Sequence, residues 1–254
     1  MKYVQLIFSP TGGTEKAAEM VTAEWSTSVE TIDLTNPAAD FSKCKVEADD
    51  LVLIALPSYG GRVPSLAAER LAQIQGNSAK CVLLCVYGNR AYEDTLVEME
   101  DIAKNCGFAV AAVMSAVAEH SIIHQYASGR PDQEDERQLK SFAKVILEKF
   151  KTGTLNGKLQ IPGNRPYKKT GDVGLVPKAG ASCNSCGLCA ENCPARAISK
   201  ENLKAANSKK CISCMRCVVR CPQGARKINR ALVSVASLAI KKACSERKEA
   251  ELLI

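Results

Sequence analysis

Long apolar runs are missing from this 254-residue chain. None reaches the roughly 20 residues that a membrane-crossing helix needs, so no membrane span is expected. Met1 stands two residues before the first strand-like segment, so no leader peptide is expected and the cytoplasm is the expected location. Aromatic residues make up only 5% of the chain. Neither a reading helix nor an aromatic-rich sheet motif accompanies the basic residues, so no nucleic-acid partner is expected. Histidine is rarer still: His120 and His124 have no third ligand near them. Surface or capping roles fit them better than a metal site, with a contact near a ligand open to them because they follow the fifth strand.

Cysteine is the opposite case. Thirteen occur, eight of them between Cys183 and Cys221. Without a secretory signal a disulfide framework is not expected, and metal is favoured for the dense group. Cys81 and Cys85 lie within a strand-like apolar run, where core packing accounts for them. Charge is divided as sharply. Residues 1–150 carry 14 Lys and Arg against 21 Asp and Glu, a net −7, and residues 151–254 carry 20 against 6, a net +14. Two domains with opposite fields are expected.

The first half alternates strand and helix patterns. KYVQLIF, VETIDL, DLVLIAL, KCVLLCVY and FAVAAVMSAV read as strands. TEKAAEMVTAEW, PSLAAERLAQIQ, DTLVEMEDIAKNCG and PDQEDERQLKSFAKVILEKF read as helices, the last with Asp132 as its cap. Five strands with short connections predict an α/β domain over 1–151 with a doubly wound parallel sheet of order 2-1-3-4-5. Only a turn or two of helix fits between Asp33 and Asp50. Residues 152–178 form a linker or an extended wrapping segment, because Thr152 to Gly180 holds six Gly and three Pro. A small α+β domain over 179–230 and a C-terminal helix over 231–254 are predicted beyond it.

Within 179–230 the chain repeats itself. CNSCGLCAENCP and CISCMRCVVRCP both follow C-x2-C-x2-C-x3-C-P at an offset of 28 residues. Three thiolates two residues apart wrap one corner of a cubane, and the fourth reaches the neighbouring cluster. Cys183, Cys186, Cys189 and Cys221 are therefore expected to hold one 4Fe–4S cluster, and Cys211, Cys214, Cys217 and Cys193 a second. A pair of zinc sites is the bland alternative, but zinc has no use for a third cysteine two residues on, nor for Pro194 and Pro222. The repeat resembles bacterial two-cluster ferredoxins.

The stretch SPTGGT follows the first strand and opens a helix. Its backbone N–H groups and the hydroxyls of Ser9, Thr11 and Thr14 converge on one point, and Gly12 and Gly13 permit close approach, so an anion is expected there. Walker A and G-x-G-x-x-G patterns are absent from the loop, which excludes those two modes. In a 2-1-3-4-5 sheet, strands 1, 3 and 4 end side by side where such folds bind ligands. PSYGGRVP brings Pro57, Ser58, Tyr59, Gly60 and Gly61 to that edge, and YGNRAYED brings Tyr87, Gly88, Asn89 and Tyr92. A flat, aromatic, phosphorylated ligand suits the three loops.

Residues 1–150 resemble flavodoxins, and SPTGGT is similar to their S-x-T-G-x-T loop for the phosphate of FMN. The resemblance implies Tyr59 on one face of the flavin ring, Tyr92 on the other, and backbone contacts from Gly60, Gly61, Gly88 and Asn89 to the ring edge. Gly13 departs from the commoner Asn, and Pro10 is unusual. The whole order resembles the flavodoxin–ferredoxin fusion proteins of anaerobic prokaryotes. That resemblance implies an electron-transfer protein linking one- and two-electron partners, without catalytic residues of its own. A flavin-dependent reductase of a small substrate and a non-redox interaction module with structural clusters are the alternatives. Redox proteins, acidic ones for the basic half, are the expected partners.

Overall fold

Leu51–Pro57 is buried along its whole length, and Lys80–Tyr87 is buried from Cys81 onward. Strands apolar on both faces belong in the middle of a parallel sheet with helices on either side. The computed structural model, which describes residues 1–156, 159–169 and 174–254, has that architecture. The strands are β1 (Tyr3–Ile7), β2 (Glu30–Asp33), β3 (Leu51–Pro57), β4 (Lys80–Tyr87) and β5 (Ala109–Val117). They stand in the order β2-β1-β3-β4-β5 and pair in parallel, with Leu6 opposite Ile54 and Ile54 opposite Leu83. This is the flavodoxin-like order. Between β2 and β3 there is a single 3₁₀ turn, Phe41–Lys43.

Two cores flank the sheet. Helices α2 (Ser65–Leu71) and α3 (Thr95–Asn105) cover one face, packing Leu71, Leu96 and Met99 onto Val4, Leu6 and Ile54. Helices α1 (Gly13–Thr22) and α4 (Gln133–Lys151) cover the other, packing Ala17, Val21, Leu139 and Ile146 onto Leu53, Leu84 and Met114. α3 stops at Gly107, whose φ of +82° suits a residue without Cβ. α4 starts from a capping box in which the Asp132 carboxylate accepts from Glu134 N and Asp135 N.

The Gly/Pro-rich stretch is a strap where it is described. Leu159 and Ile161 pack on the α2/α3 core, Arg165 pairs with Asp101 at 2.6 Å, and the Arg62 guanidinium lies 4.6 Å from the Tyr167 ring centre. The part of the linker expectation that falls on 157–158 and 170–173 lies outside the described residues. A smaller unit follows, made of β6 (Lys178–Ala179), α5 (Leu188–Glu191), α6 (Arg216–Val219) and β7 (Arg226–Lys227), with β6 and β7 antiparallel.

The C-terminal helix does not run to the end of the chain as the sequence predicts. α7 spans Arg230–Cys244, and β8 (Glu251–Leu253) then pairs antiparallel with β5, Leu252 facing Met114. The chain thus returns to the first domain and adds a sixth strand to its sheet. Ser245 through Ala250 hold few apolar residues, and helical periodicity ends where the long-range pairing begins. Arg247 secures the return: it grips the Asp132 carboxylate at 2.7 Å and, countering the cost of burial, holds it well below the usual carboxylate range.

Candidate functional site

The β1–α1 loop is built to leave donors free. Gly12 sits at φ +95°, a conformation that turns the chain into α1. Ser9 Oγ accepts from Glu15 N at 2.9 Å. The N–H groups of Thr11, Gly12, Gly13 and Thr14 have no hydrogen-bond partner among the described residues. A helix N-terminus in that condition favours a negative group. A Cβ at Gly13 would lie 3.0 Å from Ala118 Cβ, so a larger residue would crowd the end of β5.

Beside this loop lies a cavity of about 280 Å³ at the C-terminal ends of β1, β3 and β4. The first loop lines it with Thr11, Gly13 and Thr14, the second with Pro57, Ser58, Tyr59 and Gly60, and the third with Tyr87 and Gly88. Tyr59 is placed by a two-residue hairpin, Tyr59 N to Arg62 O at 2.9 Å and Arg62 N to Tyr59 O at 3.2 Å, with Gly60 and Gly61 both at positive φ. Desolvation, then the nearby Cys214, pushes the Tyr59 phenol well above its ordinary range, so it stays protonated as a donor.

Not every residue expected at the cavity lines it. Ser9, Gly12 and Gly61 do not line it: Ser9 accepts from Glu15 N in the first turn of α1, Gly12 is the N-cap of that helix and Gly61 sits in the hairpin. Asn89 turns away, donating to Cys244 O at 3.0 Å and Glu246 O at 2.8 Å. Tyr92 donates to Glu251 at 2.7 Å and packs edge-on against Tyr87, ring centres 5.3 Å apart. Both are held by the returning C-terminal segment, which the flavodoxin resemblance does not contain.

Other residues come to the cavity unannounced. The segment after β5 contributes Glu119, His120, Ile122 and Ile123, α7 contributes Ala236 and Ile240, and the second cysteine repeat contributes Ile212 and Ser213. The place of His120 after the fifth strand was a usable signal. Nothing local marks the residues of α7 and of the second cysteine repeat, because they arrive from more than a hundred residues away along the chain. His120 Nδ1 accepts from Ile122 N and Ile123 N, both at 3.2 Å, which leaves Nε2–H as the donor. Burial drives its pKa below the ordinary 6.5. Acid must therefore protonate the unfolded chain first, and the contribution of the neutral ring to stability is lost as pH falls from 6.5 through the folded value. An imidazole ¹⁵N titration is expected to give a His120 midpoint below 6.5; a midpoint at or above that value would show the ring is not desolvated.

The eight clustered cysteines divide into two groups. One cavity of about 20 Å³ is lined by Cys183, Cys186, Cys189 and Cys221, and another of about 20 Å³ by Cys193, Cys211, Cys214 and Cys217. Each group takes three cysteines from one repeat and one from the other. Among the described residues, no three His, Cys, Asp or Glu side chains converge as on a single metal ion. Two four-thiol rings around voids fit polynuclear clusters by the chemistry of the donor set. Ala197 N donates to Cys193 Sγ and Ala225 N to Cys221 Sγ, each at 3.3 Å, contacts that stabilise negative sulfur. The first group is the more open, with Cys186 exposed, whereas Cys193 and Cys214 of the second are buried.

Arginines clamp the halves together. Arg70 bridges Leu34 O at 2.5 Å and Pro194 O at 2.6 Å; Arg196 reaches Pro37 O at 2.6 Å. Arg216, between two cysteines of the second group, donates to Ser9 O at 3.3 Å and stands 3.9 Å from Asp33.

Residues 182–226 match the family model of the 4Fe-4S dicluster domain. No curated protein matches the chain. Among solved structures it is similar to the flavodoxin of Streptococcus pneumoniae TIGR4, at 19% identity over 58% of this chain and 97% of that one, with a TM-score of 0.41. Oxidised flavodoxin 1 of Bacillus cereus is 14% identical over 58% and 98%, TM-score 0.42. The rubredoxin oxygen:oxidoreductase of Desulfovibrio gigas is 17% identical over 59% and 36%, TM-score 0.44. The strand order carries the fold assignment, and the likenesses add no argument to it.

Proposed function

We propose that the chain carries electrons between FMN, held at the ends of β1, β3 and β4, and two 4Fe–4S clusters held by Cys183/Cys186/Cys189/Cys221 and Cys193/Cys211/Cys214/Cys217. The observation that supports this most is a shared wall: Ile212 lines both the large cavity and the cavity of the second cysteine group. Bound FMN exchanges one or two electrons and each cluster one, so the three groups together would link one- and two-electron partners.

The protein's own residues supply the arrangement. The free N–H groups of Thr11 through Thr14 offer donors to a phosphate, while Tyr59, Tyr87 and Ile123 bound a slot suited to a flat ring. Arg216 holds the second cysteine group against the first loop, and Arg70 ties Pro194, next to Cys193, to α2. The first group, nearer solvent, is the side for an external partner, and the exposed Lys209, Lys210, Arg220 and Lys227 favour an acidic one.

Anaerobic purification followed by quantitation of iron, sulfide and released flavin tests the proposal. About eight irons and one FMN per chain are expected from the ligand count. A redox titration should then resolve flavin and cluster signals in one molecule. Zinc in place of iron, or refusal of added FMN, would overturn it.

A further inference from the structure

Arg226 is the largest fully buried side chain among the described residues, 2% exposed. The 28-residue repeat gives it a counterpart. Ala197 N and Ala225 N each donate to a cysteine sulfur at 3.3 Å, and the next residue is Ile198 in the first repeat but Arg226 in the second. Ile198 is buried in the small apolar cluster with Cys193 and lines the cavity of the second cysteine group. Arg226, at the matching place, lines the cavity of the first. Since an isoleucine fills this place in one repeat, packing alone does not account for an arginine in the other.

The Arg226 guanidinium is held between the two groups. One Nη donates to Pro177 O at 2.9 Å and the other to Leu203 O at 2.5 Å. Pro177 lines the second cavity and Leu203 the first. The charge acts on Cys217 of one group and on Cys221 of the other. No carboxylate pairs with it among the described residues, whereas buried Arg130 has Asp135, and Arg70 and Arg216 have Asp33 beside them. A guanidinium stays charged at every accessible pH, and burying it is costly unless an opposite charge offsets it. The thiolate rings on either side supply that charge when clusters fill them.

Building on the two-cluster reading above, we propose that Arg226 is a buried counter-charge shared by the two clusters, and that it raises the reduction potential of both. A fixed cation favours the form of a cluster that carries the extra electron, and so one more negative charge. A unit charge about 12 Å away, at an effective dielectric constant of about 20, changes a one-electron equilibrium by about tenfold. Arg226 is thus a tuning residue that binds no iron itself.

The test is an anaerobic redox titration of the full-length, cluster-loaded protein, followed by EPR with spin quantitation. Arg226→Ile copies the first repeat, and Arg226→Gln keeps donors for the two carbonyls without the charge. Each is expected to lower the ratio of reduced to oxidised cluster about tenfold at a fixed ambient potential, for both clusters, or about 59 mV for a one-electron couple. Arg226→Lys keeps the charge and should leave most of that ratio in place. Unchanged potentials in the Ile or the Gln variant, a fall confined to one cluster, or an equal fall in the Lys variant would overturn the proposal. Should the Ile and Gln variants both lose iron, the Lys variant decides. Retention of about eight irons in it supports the shared charge; loss of iron there too would mean that only the guanidinium shape matters, and the proposal would fall. If the unsubstituted protein holds zinc or no iron, the cluster reading itself fails, an outcome distinct from all of these.

Discussion

Stripping the iron is expected to unfold the small domain while leaving the six-stranded sheet intact. The reason is the poverty of its core. β6 and β7 are two residues long, and α5 and α6 four each. The apolar cluster there centres on Cys193, Ala197 and Ile198, and three of the small domain's buried polar side chains, Ser213, Arg216 and Arg226, leave an atom without a partner among the described residues. A segment this small cannot offset its conformational entropy by apolar burial, so its folding free energy is that of metal ligation. Hydrogen exchange by mass spectrometry after chelation under reducing conditions should show residues 182–226 exchanging at rates near those of an unfolded chain, a loss of protection on the order of a thousandfold or more. β3 and β4, which lie inside the buried sheet, should stay protected. Protection of 182–226 that survives complete removal of iron would show that packing alone folds this half.

Deleting residues 245–254 is expected to destabilise the first domain, although it removes nothing the flavodoxin-like order requires. The deletion takes away β8, the partly buried Ala250, Leu252 and Ile254, and the Arg247–Asp132 pair. It also strips Glu251 from Ser115, which is buried and donates to it at 2.9 Å, and from Tyr92. Lost apolar contact together with an orphaned buried hydroxyl amounts to about 3–5 kcal/mol. The bare edge of β5, apolar from Ala111 to Val117 apart from Ser115, would then invite pairing with other chains. Urea unfolding and light scattering check both expectations. A truncated protein of unchanged stability and unchanged light scattering would mean that β8 merely rests on the sheet.

How far the sequence reached differs between the two halves for one physical reason. The cysteines of both repeats recur at spacings of two and three residues, the spacing by which a short loop can wrap one cubane. The grouping of Cys183 with Cys221, and of Cys193 with Cys211, was therefore readable without coordinates. The same holds for β3 and β4, whose unbroken apolar runs announce burial on both faces, and for Tyr59, whose loop directly follows a strand at the switch point. Tyr92 shows the limit. Its offset from Gly88 suggested a place at the ring, yet its hydroxyl is taken by Glu251, 159 residues along the chain. Asn89 is engaged by the same distant segment.

Local periodicity and short ligand spacings determined the doubly wound sheet, the anion-ready first loop and the pairing of eight cysteines, since each depends on neighbours within a turn or a strand. Tertiary structure alone decided that the chain comes back to β5 and that α7 and the second cysteine turn wall the large cavity. Those outcomes depend on surfaces brought together across more than a hundred residues, where complementary shape and charge act and no repeat in the sequence records them.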